Sequence, residues 1–232
     1  MNRLLLAGIA ALGMTSGAAG AASAADWNGV YVAAGAGYGA WSADTTTQDH
    51  TTHVCDLCVP TTQGGRGGLG TVAIGFDHHF SGTKFVAGVF VDGDLASIQG
   101  SVQDQGPFYV GHETEDSAIS EGVRLGWLVT PTTLPYIDLG ASQAHFKGSS
   151  MVDNTSPSTP TGYSVSSANR GGVFFGAGVE TKIDAHWSWK LEYRYADFGK
   201  ATLTDSHGTS FQDDITFHPI VQTARAELAY RF

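Results

Sequence analysis

Four soft donors stand within nine residues of this chain, in His50-Thr51-Thr52-His53-Val54-Cys55-Asp56-Leu57-Cys58. Two imidazoles and two thiolates at that spacing could build a tetrahedral zinc site. With His112 and His207 they are also the candidates for holding hemin or another divalent metal. The competing chemistry is a disulfide between Cys55 and Cys58, the only two cysteines. The disulfide is the favoured reading, because exposed thiolates do not stay reduced in an oxidising envelope. A catalytic C-x-x-C needs a thioredoxin-type βαβ surround that the sequence does not offer.

A second set of chemistry-bearing residues is spread along the chain. Asp92, Asp94, Asp138, Glu180, Glu192 and Glu227 face Arg124, Lys182, Lys190, Arg194 and Arg225 in number, and all share the polar parity of alternating segments. Charges enclosed on one face of a sheet survive only when paired. The expectation is a set of interior ion pairs that fills the fold and leaves no open pore; a narrow channel is the lesser alternative. No Ser, His and Asp set suggests nucleophilic catalysis, so no catalytic residue is assigned. The glycine runs 64–68 and 35–39 are not phosphate loops, since no helix follows either.

The elements that must position these residues are strands. In the final segment Ala224, Ala226, Leu228, Tyr230 and Phe232 alternate with Arg225, Glu227 and Arg231. A period of two marks a strand with one apolar and one polar face. Trp187, Trp189, Leu191, Tyr193 and Tyr195 alternate in the same way with Lys190, Glu192 and Arg194. Eight such segments can be counted, joined alternately by short turns and by long polar connections near 42–67, 97–114, 147–169 and 199–215. The apolar face carries the large side chains and the other face carries glycine and charge, so the apolar face points outward, into lipid. The predicted fold is all-β: an eight-stranded antiparallel up-and-down transmembrane barrel with four long extracellular loops and short periplasmic turns. Trp27, Tyr136, Trp187, Tyr230 and Phe232 are expected as an aromatic girdle near the turn end. On this parity Leu191→Arg is expected to be far worse than Lys190→Gln.

The N-terminus reads as a secretory signal. Arg3 precedes an apolar run from Leu4 to Met14, and Ala22-Ser23-Ala24 is an A-x-A cleavage pattern. Residues 1–24 are expected to be removed, with 25 as an alternative last residue, leaving a barrel domain over 25–232. Charged residues are only 15% and the formal net charge is −10. An acidic chain without a basic stripe excludes nucleic acid as a partner class.

Three stretches carry a family resemblance. They are Trp27-Asn28-Gly29-Val30-Tyr31, Glu192-Tyr193-Arg194-Tyr195-Ala196-Asp197-Phe198-Gly199, and the final Tyr230-Arg231-Phe232. The chain resembles the small outer-membrane beta-barrel proteins of alphaproteobacteria, of the Omp25/Omp31 and opacity-protein type. The resemblance implies location in the outer membrane and contact with its lipid. It also implies insertion by the barrel-assembly machinery, with Tyr230 and Phe232 in the assembly signal. A structural or surface-interaction role follows from it, with loops meeting host or envelope components; some members bind hemin.

Overall fold

The computed structural model describes residues 27–49, 51–104, 109–153, 155–164, 166–207 and 211–232. The expected signal segment, 1–24, lies outside them. Eleven strands form one antiparallel sheet: β1 (Gly29–Asp49), β2 (Cys55–His79), β3 (Phe85–Asp104), β4 (Tyr109–Trp127), β5 (Thr133–Lys147), β6 (Ser150–Asp153), β7 (Ser156–Ser164), β8 (Ala168–Lys182), β9 (Trp187–Asp197), β10 (Ala201–His207) and β11 (Phe211–Arg231). Eight of them close a ring in the order β1-β2-β3-β4-β5-β8-β9-β11, and β11 returns to pair with β1 from Tyr31↔Arg231 to Asp49↔Asp213. Closure leaves no sheet edge in hydrocarbon, where an unpaired backbone group has no water to bond. The three remaining strands sit at one end: β6 pairs the top of β4, β7 pairs β6, and β10 pairs the top of β11.

Side-chain parity divides the wall. Val72, Ile74, Val89, Val91, Val123, Leu125, Leu139, Phe175 and Leu191 are exposed on the outside, forming the lipid-facing band. The spanning portions are accordingly the turn-proximal 9–11 residues of each barrel strand, such as 30–38 of β1 and 119–127 of β4. Trp127, Trp187 and Phe232 also face outward, and Tyr230 packs against Trp187 with ring centres 5.0 Å apart. Two expected girdle residues do not join them. Trp27 and Tyr136 are 0% and 4% exposed and point into the barrel. Cationic side chains lie over both rings, Arg124 on Tyr136 and Lys182 and Arg231 on Trp27, and Gly178 clears space for Tyr136.

The long polar connections are less irregular than their composition suggests. β1 and β2 remain paired through Thr47↔Leu57 and Gln48↔Cys55, so the first connection narrows to a short turn. β3 and β4 remain paired up to Asp104↔Tyr109. Beyond the lipid band water wets the outer face, so apolar alternation is lost while strand pairing continues. Thr-rich segments such as 45–47 suit a pleated strand.

Candidate functional site

The charged residues meet inside the barrel, in tiers along its axis. At the turn end Arg124 is the hub. Its Nη1 donates to Glu180 Oε2 at 2.7 Å and its Nη2 to Asp77 Oδ2 at 2.5 Å. Arg231 donates from Nη2 to the same Asp77 oxygen at 2.7 Å. Ser188 Oγ donates to Glu180 Oε1 at 2.6 Å. The rings of Tyr31 and Tyr136 flank the Arg124 guanidinium, with centres 5.2 and 4.8 Å away. Each tyrosine crosses a glycine on the neighbouring strand, Gly75 and Gly178, and occupies the space a Cβ would need there. A cation sandwiched between aromatic faces is stabilised without a carboxylate on every side.

The second tier is at mid-barrel. Lys190 Nζ donates to Glu227 Oε2 at 2.9 Å. Arg194 forks onto Asp92 through Nη1 and Nη2 at 3.1 and 2.8 Å, and its Nε donates to Glu192 Oε1 at 3.0 Å. Arg225 Nη2 reaches Asp94 Oδ2 at 2.7 Å and Nη1 reaches Asp92 Oδ1 at 3.4 Å. The Arg194 guanidinium also lies 4.2 Å from the centre of the Phe174 ring. A planar, bidentate donor that stacks on an aromatic is the residue type such a site requires; lysine would not substitute.

Above the charges the lumen turns apolar. Trp41, Phe146 and Phe217 form an edge-packed cluster, with Trp41–Phe217 and Phe146–Phe217 centres 5.7 and 6.1 Å apart. Ile98, Val102, Met151 and Phe198 complete it, all buried. The Trp41 indole Nε1 donates to the Ile98 carbonyl at 3.1 Å, which satisfies its polar tip. The barrel is therefore closed by an ionic layer within the membrane and an aromatic layer outside it.

Trp27 stops the turn end. It packs with Val86, Leu128 and Leu134, and its Nε1 donates to the Pro131 carbonyl at 3.0 Å. Arg231 Nη1 donates to the Trp27 carbonyl at 3.1 Å, tying the last barrel strand to the segment before the first. Trp27→Phe keeps the apolar body and removes one hydrogen bond. A loss of about 0.5–1.5 kcal/mol is expected in a urea titration of the refolded barrel.

Among the residues expected in interior ion pairs, ten of eleven are buried and one, Lys182, is half-buried. Lys182 stands at the periplasmic rim, its ammonium 4.9 Å from the centre of Trp27, away from the central pairs. Asp138 lies opposite Arg124 in register, yet makes no ion pair with it; its carboxyl lies against that of Glu192. Arg124 is turned instead toward Asp77 and Glu180. Asp77 and Arg231 were not among the expected residues. Both sit on the inward parity, Asp77 next to outward Phe76 and Arg231 in step with Glu227, so the signal was present in the alternation. Glu113, Glu115 and the aromatic layer had no such signal, because the outer face there is wetted. Of the expected donors in the first connection, His50 and the side chains of Cys55 and Cys58 lie outside the described residues, as does that of His207. His53 is exposed, at a backbone φ of 54°. His112 is exposed and its backbone N–H donates to Ser149 Oγ at 2.6 Å.

Glu113, in the extracellular part of β4, is fully buried. Burial away from water pushes its carboxyl up to about 7, although Arg170 and His145 oppose the shift. Between the ordinary value of 4.5 and about 7 the folded chain keeps a proton that the unfolded chain has lost. Stability then falls as pH rises through that window. Glu113→Gln is expected to lessen this fall without abolishing it, since Glu115 is raised to about 7 as well, measured as urea midpoints at pH 4.5, 6 and 7.5.

A closed eight-stranded barrel with a lipid-facing band and a packed lumen defines an outer-membrane barrel protein. Residues 8–232 match the family model of the outer membrane protein beta-barrel domain, and the chain belongs to that family. It is located in the cell outer membrane. Its relatives include the 31 kDa outer-membrane immunogenic proteins of Brucella melitensis and Brucella suis, each 29% identical over 109 residues, which are 47% of this chain and 42% of each relative. The match thus spans less than half of those proteins. The fold is also that of the outer membrane protein OprG from Pseudomonas aeruginosa, with a TM-score of 0.62 at 12% identity, covering 90% of this chain and 99% of that one.

Proposed function

We propose that this protein is a sealed, non-enzymatic barrel that carries a rigid extracellular platform for contacts with host or envelope components. The observation behind this reading is the double closure of the lumen, by buried ion pairs around Arg124 and Arg194 and by the Trp41–Phe146–Phe217 layer above them. A lumen packed in this way gives solutes no path, so the wall and its extracellular end remain as the working surface. β1 continues for residues 39–49 beyond the lipid band. At ~3.3 Å per residue the paired strands extend on the order of 30 Å along the strand direction. The similarity to outer-membrane immunogenic proteins supports a surface that meets the outside of the cell.

Two measurements test the reading together. The refolded barrel in planar bilayers is expected to show no stable conductance steps. Nanodisc-held barrel is expected to retain partners from envelope or host-surface extracts, and to lose them when 51–54 and 199–216 are replaced by Gly/Ser linkers. Stable conductance, or retention indifferent to both replacements, would overturn it.

Assembly belongs to the same proposal. Phe232 is 72% exposed at the lipid face, packs on Tyr230 at 5.2 Å, and donates its backbone N–H to the Val30 carbonyl at 3.0 Å. Its side chain adds little to the packed lumen, so its role is assigned to recognition by the insertion machinery. Deleting Phe232 is expected to lower the amount of protein in the outer membrane several-fold, with little change in the urea midpoint of barrel refolded in detergent. Normal insertion would count against this role.

A further inference from the structure

Between the mid-barrel arginines and the aromatic layer lies a cavity of about 20 Å³, lined by Asp94, Glu115, Ser120, Ser142, Thr223 and Arg225 among others. That volume holds a single small occupant of the size of a water molecule. Asp94 and Glu115 face Arg194 and Arg225 across it, but the pairing is uneven. Asp94 is paired through Oδ2 with Arg225, and Arg194 is taken by Asp92 and Glu192. Glu115 is 4% exposed and is left without a cation of its own: its Oε2 is buried with no hydrogen-bond partner, as is the second oxygen of Asp94. Over the whole lumen nine carboxylates but only five cationic side chains are buried among the described residues. An uncompensated carboxylate in such a place costs several kcal/mol. The oxygen donors of the lining are two carboxylates and three hydroxyls, all of them hard; the rest is the guanidinium groups of Arg194 and Arg225 and apolar side chains such as Leu69, Phe198 and Val221. No group of three His, Cys, Asp or Glu converges among the described residues, so the donors do not suit a transition metal.

We propose that this cavity is a binding site for one monovalent alkali cation, held between Glu115 and Asp94 with hydroxyl oxygens of the lining. Of the two carboxylates in the lining only Glu115 has no ion-pair partner, and this one charge sets the charge of the occupant. A divalent ion would leave the site positive beside Arg194 and Arg225, so it is disfavoured.

A proton is the natural competitor. Glu115 lies in the extracellular part of β4, facing Asp94 on β3 and Arg225 on β11, with Asp116 next to it on its own strand. Burial first, and then the charge of Asp94, push its carboxyl up to about 7. The cation should therefore bind above that value and give way to the proton below it.

The test uses the full barrel refolded in detergent. Its heat-induced gel-mobility transition is followed at pH 8.5 and pH 5.5, in NaCl, KCl or N-methyl-D-glucamine chloride at equal ionic strength. At pH 8.5 the transition is expected several degrees higher in NaCl or KCl than in N-methyl-D-glucamine chloride; at pH 5.5 the three salts should agree. Glu115→Gln should abolish the difference at pH 8.5, while Glu121→Gln, on the lipid-facing parity, should keep it. Identical transitions in all three salts at pH 8.5 would overturn the proposal without recourse to any variant. A difference that persists in Glu115→Gln would overturn it as well, by placing the cation elsewhere.

Discussion

Arg194→Met is expected to be among the most damaging substitutions in this barrel, lowering stability by about 3–5 kcal/mol, the usual consequence of removing one partner from a buried charge cluster. Arg194 holds both oxygens of Asp92 and one of Glu192, and all three side chains are nearly inaccessible to water. Methionine fills similar volume and keeps contact with Phe174, so the loss reports the stranded carboxylates rather than a hole. The triple variant Arg194→Met, Asp92→Asn, Glu192→Gln should recover much of the loss, because an isosteric neutral cluster needs no counter-charge. Urea titrations of refolded barrel, read by tryptophan fluorescence, measure both. A loss below 1 kcal/mol in the single variant would mean that water reaches this tier and that the lumen is less closed than its packing indicates.

The second large effect concerns adjacent residues with opposite surroundings. Leu191 is 47% exposed at the middle of β9, on the lipid face. Arginine there is expected to cost about 2–4 kcal/mol. Lys190 points the other way and donates to Glu227 at 2.9 Å, with both side chains buried. This contact raises the expected cost of Lys190→Gln above what alternation alone suggests, to about 1–3 kcal/mol, since glutamine still donates but carries no charge. The order of severity holds and the gap narrows. Adding Glu227→Gln should restore stability to Lys190→Gln and do nothing for Leu191→Arg, because only the first pair shares an interaction. Equal rescue of both would mean the parity of β9 is misassigned.

That parity was legible in the residues because lipid makes it so. Within the membrane one face must be apolar, and the alternation of Trp187, Trp189, Leu191, Tyr193 and Tyr195 with Lys190, Glu192 and Arg194 admits one orientation. The strand count, the closure, the inward direction of the charges and the inward parity of Asp77 and Arg231 are all carried by that period of two. Outside the membrane the constraint vanishes. Both faces of 42–67 are polar, so nothing in the residues separates a paired strand from a loop, and the continuation of β1 and β2 was not readable.

Partner choice was a matter for the tertiary structure. Alternation places Arg124 inside, but not against Asp77 and Glu180 in preference to Asp138, its direct cross-strand neighbour. Residues that meet across the lumen come from strands far apart in sequence, brought together by the stagger of the closed barrel. The inward turn of Trp27 and Tyr136 had the same origin. An aromatic at a membrane boundary is equally suited to the lipid interface or to the lumen. The glycine opposite Tyr136, and the Leu128–Leu134 pocket and Arg231 beside Trp27, decided for the lumen. The sequence alone thus determined which face of each strand meets lipid, because burial in hydrocarbon acts on every residue separately. Only the closed barrel decided which charges pair, what plugs each end and where Glu115 is left unbalanced, because those are properties of side chains that meet only when the ring is complete.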